Sequence, residues 1–310
     1  MVAAKHWQQR VGSRRDWVWR GWQTRYTYVR PPRSQCDSMP LILLHGFGAS
    51  IGHWRYNLEV LGRSRPVYAL DLLGFGASEK ASTSYKIALW VEQVYDFWKT
   101  FIRRPAILVG NSIGSLVCLV AAATHPEMVG GIAMMSLPDP NLRQDAIPAM
   151  VRPAVTALEQ LFASPLLLRP LFYFVRAPHR VRRWAKIAYA DGNRVDDELV
   201  EVLSTPAYDR GAARAFDRLI RSQLDRHFCP SVKTLLPDLD IPILLLWGRQ
   251  DRMVPPKLAR PQQFCEYNAN LQLIELDEVG HCPHDESPDR VNTILLDWIA
   301  TQSRSTSQPD

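Results

Sequence analysis

Ser112 stands in the pentad GNSIG, residues 110–114, between two glycines and just past the apolar run AILV at 106–109. Glycine lowers the cost of unusual backbone angles and lets a strand and a helix approach closely. A G-x-S-x-G pentad between strand and helix therefore reads as a sharp turn that pushes a serine hydroxyl outward. That hydroxyl is a poor nucleophile by itself. Acyl transfer through it needs a base, an acid to orient the base, and N–H donors for a developing oxyanion.

The chain supplies each of these in the order serine, acid, histidine. Asp251 lies in ILLLWGRQDRMVP (243–255), just past a buried run, and His281 lies in ELDEVGHCPHDESP (275–288), past the next one. His281 would take the Ser112 proton and return it to the leaving group, while Asp251 fixes the imidazole tautomer and stabilises the imidazolium. HGFG at 45–48 follows an early strand, where the Phe47 amide can face an oxyanion, with the Ile113 amide as the second donor. IGSLVCLVAAAT (113–124) is a buried-helix pattern, so Ser112 sits at a helix N-terminus, where negative charge is favoured.

Other residues compete for these roles. Asp139 lies at the same end of its strand and is the best substitute acid; Asp238 and Asp240 precede their strand and fall at the wrong end. His45 reads as a turn-stabilising residue and His284 as support for the His281 loop. His53, His125, His179 and His227 read as surface or packing residues. Asp71 in DLLGFGAS (71–78) reads as loop architecture, because the stretch lacks the three-glycine spacing of a dinucleotide fingerprint. Phe47 and Trp54 are the substrate-binding candidates, from their places near strand ends.

The elements that must position these residues follow from patterning. Residues 16–29, rich in aromatic and β-branched side chains around Arg20-Gly21, form two antiparallel strands and a tight turn. Short apolar runs at 41–44, 67–70, 106–109, 131–135 and 243–247 then alternate with helical patterns such as 85–102. That rhythm implies an α/β domain with a doubly wound, mostly parallel sheet. It breaks between about 137 and 236, a stretch rich in proline, arginine and apolar helical segments without a convincing buried strand. The expected organisation is a core over 1–137, a helical cap over 138–236, a second core part over 237–301 and a flexible tail over 302–310. The cap belongs over the carboxyl ends of the strands, where such sheets bind ligands.

Composition narrows the class. With 310 residues, 46% of them hydrophobic, the chain can bury a large core. Its net charge of +6 comes without a nucleic-acid recognition motif, so nucleic acid is not an expected partner. Five scattered cysteines show neither CxxC spacing nor an even disulfide framework, which points to reduced thiols in a cytoplasm-like compartment. Cys282 reads as a small buried filler. Residues 1–17 are basic but lack a signal-like apolar stretch, and the longest apolar candidate, 106–123, is broken by the turn at 110–115.

At this point the residues resemble the α/β-hydrolase fold family. HGFG, DLLGFGAS, GNSIGS, WGRQD and GHCPHDESP are similar to family motifs at the family's positions, over residues 17–299 and least in the insertion. HGFGAS-IGHWRYN and GHCPHDESPDRVN look most like the pheophytinase-related, chlorophyll dephytylase-like group of cyanobacteria and plastids, whose members cleave the phytyl ester of chlorophyll-type pigments. The resemblance implies a serine esterase with a Ser112, His281, Asp251 triad and no metal or organic cofactor. Its substrate would be a hydrophobic small-molecule ester, and a thylakoid location follows if it acts on pigment. Ser115 stands where many relatives have a second glycine. Ser112 stands where dehalogenase and epoxide-hydrolase relatives carry aspartate, which argues against both reactions.

Two rival functions remain. GNSIG and WGRQDRMVP also resemble hydrolases that cleave carbon–carbon bonds in dienoate ring-fission products, although those carry an aromatic residue where this chain has Cys282. Some proteins of this fold are ligand receptors. In the cap, residues 160–184 combine apolar and aromatic side chains with an arginine cluster. The expectation is that the apolar side packs on the core with the arginines solvated. The alternative is an apolar entrance with a basic rim that rests on anionic lipid, a peripheral membrane contact. Oligomeric state is open.

Overall fold

Leu41 and Leu43 point to one side of their strand, Ile42 and Leu44 to the other, and each pair enters a different hydrophobic core. Ile107 and Val109 against Ala106 and Leu108, and Leu244 and Leu246 against Leu245 and Trp247, divide in the same way. The period-2 alternation of a strand thus turns short all-apolar runs into a sheet covered on both faces. Each fully buried leucine contributes about 1.5–3 kcal/mol to that arrangement.

The computed structural model describes residues 6–140 and 163–305. Its eight strands are β1 Ser13–Trp19, β2 Trp22–Val29, β3 Leu41–Leu44, β4 Val67–Leu70, β5 Ala106–Asn111, β6 Val129–Met135, β7 Ile243–Gly248 and β8 Leu271–Leu276. They form one sheet in the order β1-β2-β4-β3-β5-β6-β7-β8, with the pairs β1–β2 and β2–β4 antiparallel and every pair from β4 onward parallel. The chain steps from β3 outward to β4 and then back across to β5, which makes the carboxyl ends of β3 and β5 a topological switch point. This is the α/β-hydrolase fold that the sequence motifs implied. The hairpin turn falls at Arg20-Gly21, both with positive φ (50° and 85°), the backbone that a two-residue turn between twisted strands requires.

We number helices of at least eight residues. α1 (Ile87–Phe101) and α2 (Ile113–Thr124) cover one face of the sheet; α7 (Pro288–Ser305) helps cover the other through Val291, Leu295, Trp298 and Ile299. Residues 301–305 continue α7, although their polarity read as a loose tail. A helix already anchored by packing adds residues at little cost. The remainder of that tail, 306–310, lies outside the described residues.

Between β6 and β7 the described residues carry α3 (Pro165–Val175), α4 (Pro178–Ala188), α5 (Asp197–Ser204) and α6 (Ala212–Gln223), with no strand among them. Residues 141–162 of the expected insertion lie outside the description. α3 packs on α6 through Phe172 and Phe216, whose rings are 5.1 Å apart, and Arg169 Nε donates to buried Asp217 Oδ2 at 2.7 Å. α4 and α5 share a small cluster of Ala185, Tyr189, Leu199 and Val200 that also takes Cys282.

One expectation fails here. The apolar side of residues 163–184 does not pack on the core as a whole. Leu168 and Phe172 of α3 and Ala185 of α4 are buried, while Leu166, Leu167, Leu171, Tyr173, Phe174 and Trp184 are exposed. α3 is apolar on nearly every side, so packing on α6 can hide only one of its faces.

Candidate active site

Ser112 occupies the turn from β5 into α2 with φ 54° and ψ −116°, a region that costs a non-glycine residue about 1–3 kcal/mol. Its neighbours make the turn possible. A Cβ at Gly110 would overlap the backbone of Gly114, and a Cβ at Gly114 would overlap the carbonyl of Leu44 at the end of β3. The Ser112 N–H donates to the Met135 carbonyl at 2.9 Å, which hangs the turn on β6. Ser115 adds to this: its hydroxyl lies 2.9 Å from the carbonyls of Gly110 and Met135 and accepts from the Met135 N–H at 3.0 Å. The departure noted at this position therefore supplies hydrogen bonds that a glycine would lack.

HGFG abuts the same turn. A Cβ on Gly46 would sit 3.4 Å from the Ser112 Cβ, so the residue before Phe47 abuts the serine turn. His45 is buried and holds the loop: Nε2 accepts from the Leu72 N–H at 3.0 Å, which leaves Nδ1–H to donate to the Gly46 carbonyl at 2.7 Å. Burial pushes its pKa down. Asp71 is also architecture, since its two carboxylate oxygens accept from the N–H groups of Ile51 at 2.6 Å and Ala77 at 2.7 Å. Among the described residues neither the Phe47 nor the Ile113 N–H has a protein acceptor, which leaves both free for an oxyanion.

His281 Nδ1 lies 2.8 Å from Asp251 Oδ2, and both side chains are buried. The other oxygen of Asp251 accepts from the N–H groups of Met253 and Val254, each at 2.8 Å, so the carboxylate is fixed and presents Oδ2 to the imidazole. With Nδ1–H donating to Asp251, Nε2 carries the lone pair a base needs. This geometry separates Asp251 from its rival Asp139, which lies past β6. The His281 main chain is pinned on both sides: its N–H donates to Ala188 O of α4 at 2.7 Å, and its carbonyl accepts from Asn111 Nδ2 at 2.9 Å. Asn111 immediately precedes Ser112, so the elbow and the imidazole loop are tied together. Among the described contacts Ser112 Oγ makes no hydrogen bond to His281. Such contacts often tighten only when substrate binds.

Of the two substrate-binding candidates, Phe47 is 38% exposed and packs edge-on against Phe75. Trp54 is a correction. It has no accessible surface and its ring lies 4.1 Å from that of His284, so it is core rather than pocket wall.

Sequence reasoning also missed a buried polar network beneath the His281 loop. Glu286 accepts from the N–H groups of Gly280 at 2.9 Å, Cys282 at 3.1 Å and Ala190 at 2.7 Å, joining that loop to the end of α4. Burial raises its pKa while these three donors oppose the rise. Tyr189 OH donates to Asp285 Oδ2 at 2.6 Å and accepts from His53 Nε2 at 2.9 Å; Arg55 Nη1 pairs with Asp285 Oδ1 at 2.6 Å. His53 is thus a buried hydrogen-bonded residue, its pKa pushed well down by burial. Asn57 Nδ2 donates to the carbonyl of His284 at 3.2 Å and to Asn292 Oδ1 at 2.8 Å. The stretches HWRYN and HDESPDRVN are therefore in contact with each other, as supports of the His281 loop. The two adjacent acids after His281 were the available signal. Cys282 is a buried filler, its thiol pushed well up by burial.

Among the described residues no group of three or more His, Cys, Asp or Glu side chains is arranged to hold a metal ion. The chemistry the arrangement can perform is proton transfer through an imidazole oriented by Asp251, in a loop tied through Asn111 to the strained turn that carries Ser112.

Comparison with known proteins agrees with this frame. Residues 41–294 match the alpha/beta hydrolase family. Chloroplastic pheophytinase of Arabidopsis thaliana is 26% identical over 315 residues, covering 89% of this chain but only 64% of that protein's length. The 2-hydroxymuconate semialdehyde hydrolase of Pseudomonas sp. (strain CF600) is 27% identical over 267 residues, covering 84% of this chain and 87% of that enzyme. Among solved structures, a serine hydrolase involved in carbazole degradation superposes with a TM-score of 0.73 at 22% identity, covering 93% of this chain and 99% of that one. That last likeness concerns the fold.

Proposed function

The chain belongs to the alpha/beta hydrolase family, and from that premise we propose that it is a serine hydrolase of carboxylic esters. The observation that carries this reading is the 2.8 Å hydrogen bond from His281 Nδ1 to Asp251 Oδ2, in a loop that Asn111 ties to the turn holding Ser112 at φ 54°. Ser112 Oγ attacks the ester carbonyl while His281 Nε2 takes its proton. The oxyanion forms at the N-terminus of α2 and is held by the N–H groups of Ile113 and Phe47. Loss of one such donor typically costs about 3–4 kcal/mol of transition-state stabilisation. The C–O bond breaks, His281 returns the proton to the departing alcohol, and Asp251 stabilises the imidazolium meanwhile. Water, deprotonated by His281, then attacks the acyl-enzyme and releases the acid and Ser112.

A bulky apolar alcohol or acyl group is the substrate class we favour, with the phytyl ester of pheophytin or chlorophyll as first candidate. The similarity to pheophytinase supports that choice. HGFGAS-IGHWRYN and GHCPHDESPDRVN, the stretches that carry this resemblance, hold the HGFG turn, His281 and the supports of its loop, so they speak for the chemistry more than for the substrate. Carbon–carbon bond hydrolysis of a dienoate is the second reading, favoured by the similarity to 2-hydroxymuconate semialdehyde hydrolase.

Turnover of p-nitrophenyl esters of graded chain length, pheophytin and a dienoate ring-fission product tests the choice. Ester cleavage that rises with the apolar group and disappears in Ser112→Ala is the expected result. Dienoate cleavage without ester cleavage would overturn it in favour of the second reading. Ligand binding without turnover of any compound would instead indicate a receptor.

A further inference from the structure

α3 and α4 present to solvent the side chains that a soluble protein ordinarily hides. On α3, Leu166 is 85% exposed and Phe174 57%; on α4, Trp184 is 61% exposed. With Leu167, Leu171, Tyr173 and Ile187 also exposed, these two successive helices carry seven exposed large apolar side chains, where an ordinary surface scatters them singly. On the same two helices only Leu168, Phe172 and Ala185 are buried.

The charges on this face have one sign. Residues 163–190 contain no aspartate or glutamate, but hold Arg169, Arg176, Arg180, Arg182, Arg183 and Lys186. Arg169 and Arg182 are paired with Asp217 and Asp197. No carboxylate of the described residues pairs with Arg176, Arg180, Arg183 or Lys186. The guanidinium of Arg180 lies over the Phe174 ring at 3.4 Å, and that of Arg176 lies between the rings of Tyr173 and Tyr208. Cations thus stand at the rim of the apolar patch, with their stems on it. Behind α3 opens a cleft of about 370 Å³ lined by Arg169, Arg176, Arg210 and Arg214 with Tyr173 and Tyr208. Asp209 also lines it and is engaged by Lys80 at 3.0 Å.

We infer that the outer face of α3 and α4 docks on an anionic lipid bilayer. Leu166, Phe174 and Trp184 enter the boundary between headgroups and acyl chains, and Arg176, Arg180, Arg183 and Lys186 engage lipid phosphates. Apolar area combined with unpaired cations on one face is the chemistry of an interfacial helix. No described helix is long and apolar enough to cross a bilayer. This inference extends the proposed function, because an apolar ester would then be collected from the surface where it dissolves. The docking itself requires no hydrolysis.

Co-sedimentation with vesicles tests it, using Ser112→Ala as the background so that the result is independent of catalysis. The protein should bind phosphatidylcholine vesicles containing phosphatidylglycerol, bind pure phosphatidylcholine far less, and lose affinity as salt rises. Arg180→Gln with Arg183→Gln should weaken binding about 30-fold. The triple variant Leu166→Ser, Phe174→Ser, Trp184→Ser should abolish it with the thermal midpoint unchanged. Failure to bind anionic vesicles, or equal binding by the variants, overturns the inference. So does sedimentation as an oligomer that the triple variant dissolves without any vesicle binding, since the face would then join copies of this chain. Full competition by soluble glycerol phosphate would also count against a bilayer.

Discussion

Asn111 Nδ2 donates to the carbonyl of His281 at 2.9 Å, joining the residue before Ser112 to the backbone of the proposed base across 170 positions of sequence. The relative placement of hydroxyl and imidazole therefore depends on a side chain that takes no part in proton transfer. Asn111→Ala leaves a buried carbonyl unpaired, a loss of about 1–3 kcal/mol. We expect kcat for an ester to fall about ten- to hundredfold with KM little changed. An unchanged kcat would remove Asn111 as a positioning residue.

A fluorophosphonate probe should label the chain at Ser112. Labelling is expected to vanish in Ser112→Ala and to slow strongly in His281→Ala. Asp251→Asn should keep the fold but lower kcat by roughly four orders of magnitude, because the wrong imidazole tautomer is favoured. Peptide mapping of the adduct reads the first outcome. Modification at any other serine would contradict the reading.

Glu286 gathers three N–H groups, two on the His281 loop and one, from Ala190, at the end of α4. Glutamine offers a single carbonyl oxygen and must leave at least one of them unsatisfied. Glu286→Gln should therefore lower unfolding free energy by about 1–3 kcal/mol, seen as a lower urea midpoint, and should reduce kcat alongside. A midpoint equal to that of the parent would show that the clip contributes nothing.

Acidity should destabilise the protein through its buried histidines. Burial pushes the pKa of His284 down to about 3, from 6.5, and neither ring nitrogen has a hydrogen-bond partner among the described residues. Between those two values the unfolded chain binds a proton that the native site refuses. Stability is thus fully present above pH 6.5 and falls by about 1.4 kcal/mol per unit as pH drops toward 3. His45 and His53, also lowered by burial, add to the same slope. Thermal midpoints recorded from neutral to acid pH should fall steadily, and His284→Phe should flatten part of that fall. A variant that keeps the full slope would exclude His284 as a contributor.

Local chemistry was written plainly in the chain. The Arg20-Gly21 turn, the apolar runs of β3 to β7, the helix from Ile113 and the strained turn at Ser112 depend on neighbours a few residues away, so period and glycine placement reveal them. The order serine, acid, histidine was legible for the same reason, since each follows its own strand. Pairings across the fold were not. Asp251 and Asp139 both lie just past strands, and only the folded chain puts Asp251 2.8 Å from the imidazole. Trp54 and Phe47 are both aromatic residues near the end of β3, yet one is sealed against His284 and the other is half-open. The supports of His281, from Arg55 to Tyr189 to Asp285, span intervals where no periodicity reports contact. Which face of an all-apolar helix is hidden depends on its partner, and α6, more than thirty residues downstream, hides one side of α3 and leaves Leu166 in water.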